Sequence, residues 1–480
     1  MGFSRRFMLA RSRARDRAYD GRFITGVLST GIYCLPSCPA RNPNEENVRF
    51  FATQEEAAAV GLRACKRCKP DDFYRDRDPD LERTLELAAA LRAAPGDFAD
   101  ADAMRAHTGF GGTKLTELFR RHYHVTPAAF LVRERVRRAC RELLGSRRRV
   151  LDIALDAGFE SSSAFHENFR RWTAMTPRAY RELAREPRFP LSLPADFRWD
   201  HAVRYLARDT ESATERRMGD RVEKGVTLAG RPALLSLTKR GTTVACEVHA
   251  RSERTPERMA AAHRTAVSLL GLHFDPVPFE RRVARMKGMR SLVDGRAGLR
   301  ISLTADPFEA LAWAVIGQQI NLPFAFALRR RLARKVGSRV APDLVAHPTP
   351  AQVARLEPGE LRELQFSQRK AEYLIDAARA ASAGELNLEE LGEEPAGTSA
   401  RVLGGLRGFG PWTVNYVQMR GFGLADCVPV GDAGLRTSLQ RFFELAEKPN
   451  ADETCRQLEP FAPFRSLACY HFWNLLGDSA

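Results

Sequence analysis

The sequence predicts several domains that are mostly helical, with a small cysteine-rich module at the start. Its 480 residues exceed the length over which one hydrophobic core keeps growing. Charged or proline-bearing segments at residues 71–80 and 186–194 divide the chain into three blocks. Helical apolar spacing fills residues 81–185 and returns after about residue 308, whereas alternation over 227–250 predicts strands. Residues 384–399 are expected to form an exposed acidic connection.

Composition favours a polyanionic partner. The formal net charge is +16 and the pI is near 9.8, which predicts salt-dependent binding to nucleic acid. No apolar run approaches the roughly 20 residues of a membrane span, so no membrane partner is expected. The scattered cysteines favour unpaired thiols in a reducing compartment.

Four cysteines form the first chemical motif, with CxxxC and CxxC spacing at Cys34, Cys38, Cys65 and Cys68. This spacing is typical of a tetrahedral thiolate zinc site. Two roles remain open on spacing alone. The ion either only stabilises a small domain, or one of the electron-rich thiolates stays nucleophilic.

Two helix-turn-helix patterns follow, at residues 100–127 and 150–177. In each, a short helix ends at a glycine, Gly109 or Gly158, and a helix with a polar start follows. Such a second helix can enter a major groove. Two copies about 50 residues apart, each ending in Thr-Pro, are stronger evidence than one.

The third motif lies near the C-terminus, in LRGFGPWTVNY at residues 406–416. Gly408 and Gly410 separate two predicted helices, so bare backbone N–H groups can meet a DNA phosphate. Asp432 follows in PVGDAGLR, just before a predicted helix. An ionised carboxylate there can stabilise positive charge on a sugar.

Residues 16–71, including FITGVLSTGIYCLPSC and ACKRC, resemble the N-terminal domain of Ada-type methylphosphotriester repair and response proteins. The resemblance implies one Zn²⁺ ion held by Cys34, Cys38, Cys65 and Cys68. It also implies that Cys34 irreversibly accepts a methyl group from a DNA phosphotriester. Methylation removes one negative charge, so affinity for DNA is expected to rise.

Residues 81–183 resemble the AraC-type DNA-binding domain. The resemblance implies a double helix-turn-helix domain that binds promoter DNA, and RNA polymerase is a further expected partner. The implied groove-facing residues are Thr113, Lys114, Thr116, Ser162, Ser163, His166 and Arg170.

From about residue 190 the chain resembles the helix-hairpin-helix DNA glycosylases, specifically the AlkA-type 3-methyladenine glycosylases. The resemblance implies an α+β, TBP-like subdomain followed by a helical domain. Asp432 is the implied catalytic carboxylate. Bifunctional relatives place a Schiff-base lysine where this chain has Trp412, so a monofunctional hydrolase without lyase activity is expected.

Aromatic residues are expected to hold the flipped, electron-poor base by stacking and cation–π attraction. The implied pocket residues are Trp412, Tyr416, Trp473 and Tyr205. Gln319, in IGQQIN, is the implied wedge that fills the vacated stack, and a monovalent cation is implied at the hairpin. Residues 207–220 depart from the family's usual motif upstream of that segment.

The combined expectation is a zinc methyl-acceptor module at 1–75, an AraC-type domain at 80–185, a β-rich subdomain at 190–303 and a helix-hairpin-helix glycosylase domain at 304–480. Such a bacterial protein would be monomeric, cytoplasmic and nucleoid-associated, and would act on alkylated double-stranded DNA and on promoters. Excision would be hydrolytic and methyl transfer to Cys34 suicidal. The alternative is a transcription regulator with an inactive glycosylase-like region and a purely structural zinc site.

Overall fold

Helices dominate the computed structural model of the chain, which describes residues 2–75, 77–250 and 253–477. The chain divides into an N-terminal unit, Met1–Ala89, and a C-terminal unit, Ala90–Ala480. None of the helices within the described residues is long and apolar enough to cross a membrane.

The N-terminal unit is built around a four-stranded sheet of order β3-β1-β2-β4. Strand β4 pairs in parallel with β2, and this pairing brings the two cysteine-bearing segments together. The elements are α1 (Arg5–Arg13), β1 (Ile24–Val27), β2 (Ile32–Cys34), β3 (Val48–Phe51), α2 (Gln54–Ala59), β4 (Arg63–Ala64) and α3 (Pro70–Tyr74), and α4 (Pro79–Ala93) contains the boundary between the units.

The C-terminal unit begins with helices that match the two helix-turn-helix patterns. They are α5 (Ala101–Thr108), α6 (Gly112–Tyr123), α7 (Pro127–Gly145), α8 (Val150–Asp156), α9 (Ser162–Thr173) and α10 (Pro177–Arg181). Gly109 ends α5 in the left-handed region, with φ of 71°. Each Thr-Pro pair starts the next helix, because Thr126 and Thr176 accept N-cap hydrogen bonds and proline fits the first turn.

A five-stranded antiparallel sheet of order β5-β9-β8-β7-β6 follows. The elements are β5 (Arg188–Ser192), α11 (Trp199–Leu206), β6 (Glu215–Met218), β7 (Arg221–Leu228), β8 (Arg231–Arg240), β9 (Thr243–His249), α12 (Pro256–Leu269) and α13 (Val277–Arg285). Residues 186–194, which were predicted to divide two blocks of the chain, contain a strand of this sheet. Phe189 and Leu191 alternate with exposed neighbours and are buried, so β5 is an edge strand of the sheet.

The remaining part of the chain is mostly helical, and the Asp432 segment lies between two of its helices, α21 and α22. The helices of this part are α14 (Pro307–Gly317), α15 (Leu322–Val336), α16 (Pro350–Val353), α17 (Pro358–Glu363), α18 (Gln368–Ser382), α19 (Leu388–Leu391), α20 (Ala396–Gly404), α21 (Pro411–Arg420), α22 (Ala433–Phe442), α23 (Ala451–Leu458) and α24 (Arg465–Gly477), with a small hairpin of β10 (Arg339–Ala341) and β11 (Leu344–Val345).

A buried ionic cluster fastens the sheet to α14 and α15. The Lys224 ammonium lies 2.9 Å from Glu215 and 2.8 Å from Glu309, and Arg329 donates to both carboxylates. Burial opposes ionisation, but these cations outweigh it and hold the pKa of Glu215 well below its ordinary value. Because each charge has a partner, the cluster fixes the relative position of sheet and helices without a bare buried charge.

The helix-turn-helix part and the sheet share one hydrophobic cluster, which includes Phe165 and Phe169 of α9 and Leu235 of β8. Arg137 of α7 also makes two hydrogen bonds of 2.6 Å to Glu393. Residues 384–399 are therefore not simply an exposed acidic connection: they contain α19, and Glu393 pairs with the helix-turn-helix part.

Candidate active site and metal centre

The four cysteines of the N-terminal unit form a tight cluster, with all four Sγ atoms within 4.8 Å of one another. The Cys38 and Cys65 sulfurs are 3.9 Å apart. Cys34 and Cys65 are buried, whereas Cys38 and Cys68 are partly exposed. The backbone N–H groups of Leu35 and Arg67 point at the sulfurs of Cys68 and Cys65, each at 3.4 Å.

This donor set fits Zn²⁺. Tetrahedral thiolate ligands at about 2.3 Å from the ion are themselves roughly 3.8 Å apart, close to the observed sulfur spacing. The backbone N–H groups would orient the ligands, as partners behind metal ligands commonly do. A bound zinc ion would keep the thiolates ionised at neutral pH.

Asp432 lies at the start of α22 and is its N-cap. Its Oδ1 accepts hydrogen bonds from the Leu435 backbone N–H at 2.7 Å and from the Trp473 indole at 2.9 Å. Its Oδ2 accepts one from the Trp412 indole at 3.0 Å. Three donors and a helix N-terminus therefore stabilise negative charge on a half-buried carboxylate.

The predicted hairpin is formed by α20 and α21, with Gly408 and Gly410 between them. Gly408 has φ of 85°, and a Cβ atom there would lie 2.2 Å from the Tyr373 ring. Only glycine fits this position. Gly410 is the N-cap of α21 and has open space around it, which leaves the helix N-terminus accessible.

The predicted wedge segment follows α14. Gln319 is exposed and has a left-handed φ of 53°. Its neighbour Gln318, which sequence reasoning did not single out, donates to the Gly408 carbonyl at 3.0 Å and to the Thr413 hydroxyl at 3.1 Å. Lys370 donates to the Ile316 carbonyl at 2.7 Å. The segment is thus tied to the hairpin on one side and to α18 on the other.

The four predicted pocket aromatics lie in one region. Trp412 and Tyr416 stack with centroids 5.5 Å apart, and Trp412 and Trp473 share the Asp432 carboxylate. Tyr205 of α11 interacts with Tyr416. The structure therefore brings together residues from three distant stretches of sequence.

Two arginines beside these rings were missed by sequence reasoning. Arg208 and Arg420 lie over Tyr205, with guanidinium carbons 4.3 Å and 4.2 Å from the ring centroid. Burial opposes ionisation of Tyr205, but the two positive charges outweigh it and lower the pKa of the hydroxyl. Arg208 falls in residues 207–220, where the family motif is absent, and that departure was the only signal in the sequence.

The predicted groove-facing residues lie along α6 and α9, from the first turn of each helix to the last turn of α9. Thr113, Ser162, Ser163, His166 and Arg170 are exposed, while Lys114 and Thr116 are partly buried. Helix α6 also packs against α20 of the hairpin. The polar face of α9 is thus more open to solvent than that of α6.

Three family models match successive parts of the chain. The metal-binding domain of Ada matches residues 8–71, a helix-turn-helix domain matches 104–183, and the HhH-GPD superfamily of base-excision DNA repair proteins matches 312–463. The chain therefore joins an Ada metal-binding domain, a helix-turn-helix domain and an HhH-GPD domain. The cysteine geometry and the Ada match together indicate a Zn²⁺ site.

Curated relatives match either nearly the whole chain or one part of it. The chain is 29% identical to the probable bifunctional transcriptional activator/DNA repair enzyme AlkA of Mycobacterium tuberculosis, over 96% of this chain and 95% of that protein. It is 35% identical to a DNA-3-methyladenine glycosylase of Bacillus subtilis, over 37% of this chain and 60% of that protein. It is 34% identical to the activator/repair enzyme Ada of Escherichia coli, over 35% of this chain and 46% of that protein.

A solved structure shows the same fold for the glycosylase part. The 3-methyladenine DNA-glycosylase of Archaeoglobus fulgidus superposes with a TM-score of 0.52 at 24% identity, over 59% of this chain and 97% of that protein. The predicted fold class, a multidomain and mostly helical chain ending in a glycosylase fold, is thereby confirmed.

Proposed function

We propose that the C-terminal unit excises alkylated bases of the 3-methyladenine type from double-stranded DNA by hydrolysis of the N-glycosidic bond. The observation that carries this proposal is the Asp432 carboxylate, held by two indole N–H groups and a helix N-terminus beside aromatic walls. As the bond breaks, positive charge develops on the sugar, and a fixed carboxylate stabilises it. The names of the relatives support the same substrate class.

The residues around Asp432 have three further proposed roles: binding the flipped base, binding a phosphate and filling the gap that the base leaves. Tyr416 and Trp412 offer stacked faces to a flipped base, the hairpin N–H groups meet a phosphate, and Gln319 fills the vacated stack. The position of a Schiff-base lysine is occupied by Trp412, so nicking of abasic DNA is not expected. A monovalent cation at the hairpin stays a prediction.

Release of 3-methyladenine and 7-methylguanine from alkylated duplex DNA tests this activity. Asp432→Asn keeps the side-chain size and should slow release by about a hundred- to a thousandfold. Asp452→Asn, at an exposed acid of α23, is the matched control and should behave as wild type. If wild type releases no base, or Asp432→Asn works at full rate, the proposal is wrong.

We propose further that the N-terminal unit accepts a methyl group from DNA methylphosphotriesters on Cys34, and that the methylated protein activates transcription. The methyl carbon would pass to sulfur while the phosphotriester loses it and becomes an ordinary, negatively charged diester. The Ada match and the thiolate cluster support this step. Contact with RNA polymerase and a monomeric state are part of the same proposal.

Peptide mapping by mass spectrometry after exposure to methylphosphotriester DNA tests the acceptor. One added methyl group on Cys34 is expected. Cys34 is only 8% exposed, whereas Cys38 and Cys68 are more accessible, so the map must distinguish all three. Methylation at another cysteine, or none, would show that the assignment to Cys34 is wrong.

A further inference from the structure

Arg208 lies in an aromatic box beside the candidate base pocket. Its guanidinium carbon is 4.3 Å from the Tyr205 ring centroid, 5.1 Å from that of Trp313 and 5.5 Å from that of Phe326. The side chain is nevertheless exposed, so it closes the box from the solvent side. Aromatic faces attract cations, and in this protein an internal cation occupies the position.

The positive charge of Arg208 lacks an acidic partner. Within the described parts of the chain, no carboxylate lies within ion-pair distance of it. The adjacent acid, Asp209, is buried and pairs with Arg330 of α15 at 2.7 Å. This pair anchors the segment that carries Arg208 while leaving its guanidinium uncompensated.

The guanidinium group of Arg420 places a second positive charge against the Tyr205 ring. Arg420 is 2% exposed, and its Nε has no hydrogen-bond partner among the described residues. Two guanidinium groups therefore lie against Tyr205, one buried and one accessible. The box has a net positive potential.

The box is connected directly to the Asp432 site. Arg208 interacts with the Tyr416 hydroxyl, Tyr416 stacks on Trp412, and Trp412 donates to Asp432. The carboxylate and the guanidinium are therefore both in contact with the pair of rings, Trp412 and Tyr416, against which a base would stack.

We propose that Arg208 stabilises the departing base and thereby sets which lesions are excised; the inference rests on the proposed glycosylase function. When the C1′–N bond breaks, its electron pair stays with the base and water supplies the hydroxyl that bonds to C1′. A base bound as a cation leaves neutral, and a neutral base such as hypoxanthine leaves as an anion that later takes a proton from solvent. The base loses one unit of positive charge in both cases.

A fixed positive charge favours that change in the transition state over the bound substrate. The two lesion classes should respond differently in binding. Arg208 repels a cationic base in the ground state, which weakens its binding, whereas it can donate hydrogen bonds to a neutral base with carbonyl or ring-nitrogen acceptors. A purely structural arginine would not produce this split.

Single-turnover excision by the full chain tests the inference, with duplexes that carry hypoxanthine or 7-methylguanine. Arg208→Met keeps the apolar stem and should lower the maximal rate for hypoxanthine about tenfold, less than for a buried donor because Arg208 is solvent-screened. For 7-methylguanine the maximal rate should also fall, but the half-saturating enzyme concentration should fall too. Arg208→Lys should restore most of both rates.

Arg204→Met is the matched control, because Arg204 is an exposed arginine of α11 one turn away. Maximal rates of Arg208→Met within about twofold of this control on both duplexes would overturn the inference. A wild-type protein that releases neither base would contradict the proposed function instead. In that case quenching of tryptophan fluorescence by 7,9-dimethylguaninium decides: tighter binding to Arg208→Met supports the role of Arg208, and equal binding overturns it.

Discussion

The four-cysteine cluster and the Asp432 site both hold negative charge, but by different physical means. The cysteine cluster places four sulfurs within 4.8 Å of one another, and four thiolates so close together would need a cation to balance their charge. Asp432 keeps its single charge with two indole N–H groups, a backbone N–H and a helix N-terminus. The first site is suited to a bound ion, and the second is built entirely by the chain.

The difference also appears in how the residues are gathered. The cysteines lie within residues 34–68, and one parallel strand pair brings their segments together. The Asp432 site draws on α11, α21, α22 and α24, separated by more than half of the chain. Metal removal should therefore disrupt the cysteine cluster as a whole. Single mutations at the Asp432 site should instead each lower the excision rate by part of the total effect.

The largest expected effect is loss of the N-terminal unit on zinc removal. Structural zinc contributes on the order of 10 kcal/mol to folding of small domains, so a chelator under reducing conditions should unfold residues 1–89. Base release by the C-terminal unit should persist. Amide hydrogen exchange measured by mass spectrometry checks whether the N-terminal unit unfolds. The excision assay on the same sample checks whether base release persists.

Cys65→Ser should reproduce the effect without a chelator, and Cys455→Ser, at an exposed cysteine of α23, is its control. Zinc content measured on both variants completes the comparison. If excision failed together with the N-terminal unit, the two sites would not be independent.

A smaller effect is expected from removing one indole donor at Asp432. Trp412→Phe and Trp473→Phe each keep a ring but delete a hydrogen bond to an ionised group, worth about 1.5–3 kcal/mol. Each should slow excision by about ten- to a hundredfold without unfolding the protein. The double variant measures whether the two donors act independently.

Trp172→Phe is the control for the general loss of an indole, because Trp172 packs in the cluster of the helix-turn-helix part. Its excision rate should match wild type. Full activity of Trp412→Phe and Trp473→Phe would show that the hydrogen bonds from the indoles to Asp432 do not contribute to excision.

The smallest effect is expected where the helix-turn-helix part meets the acidic segment. Burial would raise the pKa of Glu393, but the hydrogen bonds and charge of Arg137 outweigh it and lower that pKa to about 2. Because the pKa of Glu393 in the folded protein lies below its ordinary value of 4.5, the pair contributes stability above about pH 4.5 that is lost as pH falls toward 2.

Glu393→Gln should therefore lower the free energy of unfolding at pH 7 by about 1 kcal/mol, since both side chains are partly solvent-screened. The difference from wild type should shrink below pH 4.5. Glu390→Gln, at an exposed acid of α19, is the control, and thermal melts at several pH values measure both. An equal difference at every pH would contradict the role given to Arg137.

The motifs of both sites could be predicted from the sequence, but their three-dimensional surroundings could not. The cysteine spacing, the paired Gly-turn helices and the GFG hairpin were each visible in short windows, because their chemistry depends on local backbone geometry. The edge strand at Arg188–Ser192 was not predicted, since the three prolines of residues 186–194 and the short apolar alternation resemble loop punctuation. Its pairing with β9 is a long-range contact that no local window contains.

By itself the sequence determined the order of the modules, and it predicted four cysteines as zinc ligands and Asp432 as the candidate carboxylate. Only the tertiary structure decided which side chains surround that carboxylate, that Arg208 and Arg420 lie on Tyr205, and that Glu393 binds Arg137. The physical reason is that motifs record backbone requirements that recur over a few residues. The electrostatic environment of a side chain is instead set by packing between segments hundreds of residues apart.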